Sequence, residues 1–392
     1  MSFEQDLARG RGRAVLHLQS ADQATRERYR EPILYACCHS QRYDTQGESE
    51  RSLFLLDVLE VTQDIAYYIP HLRAALSDST LYTDQLFGLC ARLHRRGHAD
   101  IKTDLYAAAE QLVAQGNYDW DQSLLRLGTA EAWQKIAALL QQFPPHDPSD
   151  WHTDYLYREA QLILGRRVAR HLAPRALVVE VLANQRENAQ RDRDNRRDYA
   201  NYGEYTPEEL SHLAEAVPQT VGELQYWLFR FRQYPFPHNP APLLTLTYHE
   251  DQRIAWYALL ALGNVTDPRI RARALELLTD PETLLYPAAV RLLAHNSSDE
   301  DLTLLTNQLN LLLARGDEAR LHSFGSHFRE YAQINSDLLL TPLLLTLYDA
   351  ILCPYRRYSF VKLLLARNDV PTWLLSECRY DCNEDIRALG GV

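Results

Sequence analysis

Two neighbouring stretches decide the reading of this chain: Asp251-Gln-Arg-Ile-Ala-Trp-Tyr-Ala-Leu-Leu-Ala-Leu-Gly263 and Asp267-Pro-Arg-Ile-Arg-Ala-Arg-Ala-Leu-Glu-Leu-Leu278. Each opens on an aspartate, a residue whose side chain accepts from the free N–H groups of a first helical turn, and each places Ile three positions later. Ala and Leu then recur on one stripe, so each stretch predicts a helix with a face of small and large apolar residues. Gly263 and the Asp267-Pro268 pair end one helix and start the next. Asp280-Pro-Glu repeats the opening and predicts a further helix start, which gives a period of 29 residues from Asp251 to Asp280. Two such helices joined by the Gly or Asp-Pro turn form one hairpin. A lone hairpin leaves apolar surface on both sides, so it has to stack on others.

Outward from this core the same helical periodicity runs through 53–61, 105–115, 130–143, 155–173, 208–216 and 302–314. Alternating apolar and polar residues never persist beyond a few positions, and no Asn-Gly or Asp-Gly hairpin signal occurs, which argues against a sheet. Punctuation at Gly116, Gly128, Pro144, Gly263, Pro268, Pro281 and Pro371 keeps the connections short, and short connections make neighbouring helices antiparallel. The expected fold is all-α: a right-handed α-α superhelix, or solenoid, of stacked antiparallel helix hairpins. Residues 1–183 form an N-terminal helical region with degenerate repeats. Residues 184–242 combine a mixed-charge polar insertion with an aromatic, Pro-rich connector, and 243–392 form the C-terminal repeat region.

These helices resemble HEAT repeats, and the short period is similar to that of the phycobilin-lyase-like subtype. The likeness is strongest over 251–293 and recurs in Asn383-Glu-Asp-Ile-Arg-Ala-Leu389, where Arg387 takes the place of Arg271. Ala255 stands where the first repeat would carry that arginine, so an Asp–Arg ladder between repeats is interrupted there. The chain as a whole resembles uncharacterised bacterial HEAT-repeat proteins, which implies a cytoplasmic protein and brings no known activity with it.

Composition narrows the function classes. With 41 Lys+Arg against 52 Asp+Glu the formal charge is −11, and the 46% hydrophobic fraction excludes a disordered chain. Only Lys102, Lys135 and Lys362 are lysines, so arginine carries nearly all the positive charge. Guanidinium groups suit ion-pair networks on helix faces as well as phosphate recognition. The N-terminus lacks the basic start and apolar run of a secretory signal, and the most apolar stretch, 338–353, is broken by Pro342 and Asp349. No membrane span is expected. Cys37, Cys38, Cys90, Cys353, Cys378 and Cys382 form no paired CxxC sets, so they read as reduced, buried thiols in a cytoplasm, with no metal site and no cofactor.

Two constellations are candidate binding sites. The first is the polar loop 39–51, where Tyr43, Asp44, Gln46, Glu48 and Arg51 sit between two apolar helices; on a solenoid edge they suit a polar ligand or peptide, and as helix caps they need no ligand. The second is Tyr226-Trp-Leu-Phe-Arg-Phe-Arg-Gln-Tyr-Pro-Phe236, where Trp227, Arg230 and Arg232 are placed to stack on bases or to form a seam between subdomains. Arg9-Gly-Arg11-Gly-Arg13 reads as an anion-contacting tip or a simple turn. Arg166, Arg167, Arg170, His171 and Arg175, and also His94-Arg-Arg-Gly-His98, read first as cations at helix C-termini. His322 and His327 flank Gly325 without a catalytic partner in sequence, and no phosphate loop, His-Glu-x-x-His or Gly-x-Ser-x-Gly motif is present.

The expected function is therefore a non-enzymatic scaffold or regulatory protein that holds a protein partner, with a basic partner surface suited to the acidic chain. The alternative is a HEAT-like nucleic-acid-binding protein of the alkylpurine DNA glycosylase type, which the charge of −11 weighs against. A third reading, a lyase or chaperone for a tetrapyrrole-bearing protein, rests on the repeat subtype alone.

Overall fold

The structure, a computed structural model, describes residues 2–43, 47–78, 84–115, 121–142, 151–165, 169, 205–218, 220–280, 283–336 and 339–391. Every regular element among them is a helix. The observed bounds follow the apolar periodicity closely: Arg51–Thr62, Lys102–Ala114, Ala130–Gln142, Pro207–Glu215 and Asp301–Arg315 each contain or nearly contain the segment expected from sequence. Of the expected segment 155–173, residues 155–164 fall within Trp151–Leu164, and beyond residue 165 all but Ala169 lie outside the described residues. Two compact units divide the chain, one of residues 1–201 with 373–392 and one of residues 202–372. The C-terminal segment, grouped by its repeat-like sequence with 243–392, thus packs in the first unit.

The second unit is two layers of helices. Val221–Phe231, Gln252–Leu262, Ala288–Ala294, Glu318–Ile334 and Pro354–Ala366 form one layer, each packed on the next. Ala241–Leu246, Pro268–Thr279, Asp301–Arg315 and Thr341–Ala350 form the other, each pairing with the helix that follows it in sequence. The hairpin partner of Pro268–Thr279 is therefore Ala288–Ala294, and Gln252–Leu262 pairs instead with Ala241–Leu246. Asp280 closes the 268–279 helix as its C-cap, and the next helix begins only after Pro287. A proline has no N–H to give a helix running through it, so the boundary falls at Pro287 rather than at the Asp-Pro pair. All seven residues of the short 288–294 helix are buried, six of them apolar and the seventh Arg291. Its Arg291 lies along Gly263, where a Cβ would come within 2.4 Å of the Arg291 side chain, and pairs with Glu330 at 2.8 Å.

Sequence punctuation works as expected at the ends of these helices. Asp251 and Asp267 accept from the N–H groups of Arg253 and Arg269, both at 2.8 Å. The layers are then tied by bonds one repeat apart. Asp267 N–H donates to Asn296 Oδ1 at 2.8 Å, and Arg271 donates to the Asn296 carbonyl at 2.9 Å while pairing with the buried Asp301 at 2.7 Å.

In the first unit, Arg51–Thr62 is the central helix, packed on Gly12–Ser20 and Asp84–Arg95. Phe54, Leu55, Leu56, Val58 and Leu59 are all buried in one continuous core that takes in Phe3, Val15, Ile33, Leu89 and Trp133. Residues from the two ends of the chain close this unit. The Cys382 N–H donates to the Gly10 carbonyl and the Glu50 N–H to the Cys382 carbonyl, both at 2.9 Å. Gly12 makes room for this contact, since a Cβ there would fall 1.9 Å from the Glu377 carbonyl oxygen.

Candidate functional site

The 39–51 loop is brought together by burial. Glu48 and Arg51 are 1% and 0% exposed and pair at 3.4 Å. Glu48 accepts from the Tyr43 N–H at 2.8 Å, and Arg51 donates to the Leu7 carbonyl at 3.0 Å with its guanidinium over the Phe54 ring. Tyr43 faces solvent, while Asp44 and Gln46 lie outside the described residues. Asn383 donates to the Gly47 carbonyl at 2.7 Å, so the loop is clamped from the C-terminal segment. Glu48 and Arg51 thus serve the closure of the unit.

The Arg-Gly-Arg-Gly-Arg tip belongs to the same closure. Gly10 takes a left-handed φ of 65°, the region that favours glycine, and a Cβ there would meet the Cys382 sulfur at 2.3 Å. Arg11 is fully buried, and Arg13 holds Glu377 through Nε at 3.0 Å and a terminal nitrogen at 2.9 Å. The basic run 166–175 falls outside the described residues apart from Ala169.

In the second unit the aromatic segment separates into two faces. Trp227 is 3% exposed; its indole N–H donates to the Leu213 carbonyl at 2.7 Å, and its ring meets Phe231 and Phe236 edge-on. Arg230 lies over Tyr226 at 4.4 Å and donates to its hydroxyl. Arg232 is exposed and offers its carbonyl to Asn264 and Arg291. Tyr226 (52% exposed) and Phe229 (41%) look outward. Tyr226, Trp227 and Arg230 with Tyr205, Leu213 and Pro218 line a groove of about 570 Å³, and Phe229 meets Tyr257 edge-on, at the start of a second groove of about 340 Å³ formed with Trp256 and Leu284.

Sequence reasoning missed two arginine clusters, because their members come from separate helices. Arg92, Arg95, Arg96 and Arg126 line one cleft of the first unit. In the second unit, Arg291, Arg356, Arg232 and Arg329 surround the buried His327, whose ring meets Trp256 at 5.7 Å. Burial first, and then these cations, hold His327 down to about 3, so it is neutral across physiological pH. Burial and Arg356 lower His322 as well. The stripe of cations on facing helices is legible only once the layer order is known.

Chemically activated groups are scarce. All six cysteines are buried. Burial pushes the Cys38 thiol up to about 11 and raises Cys37 and Cys90 as well, which disfavours the nucleophilic thiolate. Among the described residues no group of three His, Cys, Asp or Glu converges as a metal site, and no helix is long and apolar enough to cross a membrane. Comparison of the chain with protein-family models, with curated proteins and with solved structures finds no match.

Proposed function

We infer that this chain is a non-enzymatic interaction protein, a HEAT-like helical scaffold that holds a protein partner on the aromatic surface of its second unit. The observation that carries this reading is the run of partly exposed apolar side chains Tyr226, Phe229, Tyr257 and Leu284, with a groove lined by Tyr226 and another lined by Tyr257 and Leu284. Half-exposed aromatics on a rigid helical face are typical anchors of protein interfaces. Exposed Glu208, Glu209, Glu215 and Glu223 lie on the two helices that line the first groove, which suits a partner with basic residues beside its apolar anchor. The uniformly buried cysteines suit a reducing compartment, and we read the protein as cytoplasmic and bacterial.

The decisive experiment compares affinity capture by the wild-type chain with capture by a Tyr226→Glu/Phe229→Glu variant, both verified as folded by circular dichroism. The expected result is a discrete protein partner held by the wild type and lost by the variant. Capture of the same proteins by both, or of none by either, overturns the reading.

The alternative, a nucleic-acid-binding protein of the HEAT-like glycosylase type, draws support from the arginines around His327 and Trp256. Under the scaffold reading, no shift of duplex or single-stranded DNA occurs at moderate salt. A salt-sensitive micromolar shift, abolished by Arg329→Gln/Arg356→Gln, moves the assignment to the alternative.

A further inference from the structure

The first unit carries a second, unrelated candidate: the cleft lined by Ser49, Glu50, Leu53, Arg92, Arg95, Arg96 and Arg126, about 670 Å³ in volume. That volume lies within the ordinary range of small-molecule sites. Its cations come from two places in the chain. Arg92, Arg95 and Arg96 end or follow the 84–95 helix, and Arg126 follows the short 121–125 helix.

Two of the arginines share a neutral acceptor. Ser52, fully buried, accepts from Arg92 Nε at 3.0 Å and also from an Arg126 terminal nitrogen. Arg126 reaches that hydroxyl across Gly88, where a Cβ would fall 2.5 Å from its guanidinium; a side chain at 88 would block the path. Glu50 pairs with Arg92 at 2.6 Å. Among the described residues no carboxylate touches Arg95, Arg96 or Arg126, although Asp57 lies near enough to Arg96 to feel its charge, and Glu384 is the other acidic residue of the lining. Four guanidinium groups against two carboxylates therefore line one cleft of a chain whose net charge is −11. Bringing like charges together opposes folding, an arrangement that a bound polyanion would relieve. The environment reflects the crowding, as burial, opposed by Glu50 and joined by Arg126, draws Arg92 down to about 10.

We propose that this cleft binds a small molecule bearing two or more phosphate groups, gripped by Arg95, Arg96 and Arg126 with Arg92 behind them. Guanidinium forks match phosphate oxygens two at a time, and a diphosphate concentrates its negative charge on two adjacent groups, whereas a polycarboxylate spreads it along a carbon skeleton. Leu53, Leu56 and Ile163 give the cleft an apolar wall for the remainder of such a ligand. The site stands on different residues and a different unit from the aromatic surface, so each assignment succeeds or fails alone.

Calorimetric titration of the full chain with inorganic pyrophosphate, ADP and citrate, in 150 mM salt, tests the assignment. Pyrophosphate and ADP are expected to bind and citrate to bind at least tenfold more weakly. Arg126→Gln and the exposed pair Arg95→Gln/Arg96→Gln are each expected to weaken pyrophosphate binding about tenfold or more, with Arg126→Lys in between and Arg253→Gln/Arg269→Gln without effect. The surface pair 95/96 keeps the test sound even if Arg126→Gln fails to fold. Absence of pyrophosphate and ADP binding, equal affinity for citrate, or unchanged affinity in the 95/96 variant overturns the proposal. So does tighter binding to a single-stranded oligonucleotide or to vesicles rich in phosphoinositide, either of which would make the cleft part of a macromolecular surface.

Discussion

The two units use one piece of sequence grammar for opposite ends. In the second unit Asp267 caps its helix and Arg271 reaches Asp301, in the next helix pair along the chain. In the first, Asn383 caps its helix and Arg387 reaches Asp57 at 2.8 Å, 330 positions back. Polar ties in the second unit commonly join residues one repeat apart, such as Arg273 to Thr247 and Tyr331 to Asp301, 26 and 30 positions. Those that shut the first unit join the two ends of the chain, as Arg13 does with Glu377, 364 positions away. A local array spreads its stabilising contacts evenly, whereas a unit closed by its termini concentrates them in a few buried pairs.

The largest effect that separates the two is expected at Arg51. Its guanidinium is wholly buried and bonded to Glu48 and Leu7, so Arg51→Ala leaves a buried carboxylate and a carbonyl without their partner. Such a loss costs about 3–5 kcal/mol. Arg273 in the second unit is also buried, but its partner Glu276 is half exposed and regains water when freed, so Arg273→Ala costs about 1–2 kcal/mol. Denaturant unfolding, with hydrogen exchange to localise the change, decides the matter. For Arg51→Ala, protection is lost together from 3–20 and 384–390; an equal cost at both arginines would dissolve the contrast.

How much of this was legible follows from the same contrast. Helix positions in both units could be read from apolar spacing and caps, because those signals are local: Asp251, Asp267 and Asn383 cap where their sequence says they should. Pairing was harder. The Asp280-Pro signal pointed to a helix start that Pro287 delays, and that shift moved the hairpin partner of 268–279 to the helix beyond. At the candidate sites, the 39–51 loop divides between the core and a cleft. Glu48 and Arg51 turn inward to meet chain ends that no local pattern announces, while Ser49 and Glu50 line the arginine cleft. Trp227 is a core residue, and the outward aromatics are its neighbours Tyr226 and Phe229, which point roughly a quarter-turn and a half-turn of helix away from it.

A second difference should appear in acid. His327 of the second unit is held neutral, near 3 against an ordinary value of 6.5, by burial and by the surrounding arginines. The unfolded chain takes up a proton below about 6.5 while the folded unit does not, so this contribution to stability is complete above that pH and is lost as pH falls towards 3. Between pH 6 and pH 4 the loss is about 2 kcal/mol, from roughly 1.4 kcal/mol per unit at most. His327→Phe should remove this slope from the second unit's unfolding free energy, read by hydrogen exchange at 252–294. A variant with the same slope as the wild type would mean that the imidazole is not held neutral by this packing.

The finest test exchanges the two capping residues. Asp267→Asn keeps an oxygen for the Arg269 N–H and gives up only the solvent-exposed pairing with Arg269, so the second unit should change by less than about 0.5 kcal/mol. Asn383→Asp keeps the oxygen that accepts from the Ile386 N–H but loses the donor to the Gly47 carbonyl, setting a carboxylate oxygen against a carbonyl oxygen in a buried place. That exchange should cost the first unit about 1–2 kcal/mol. Helix capping alone treats the two substitutions alike, because both residues remain good caps. A measured difference between them therefore isolates the work that Asn383 does across the closure of the first unit, and equal small effects would assign that closure to Arg13, Arg51 and Arg387 alone.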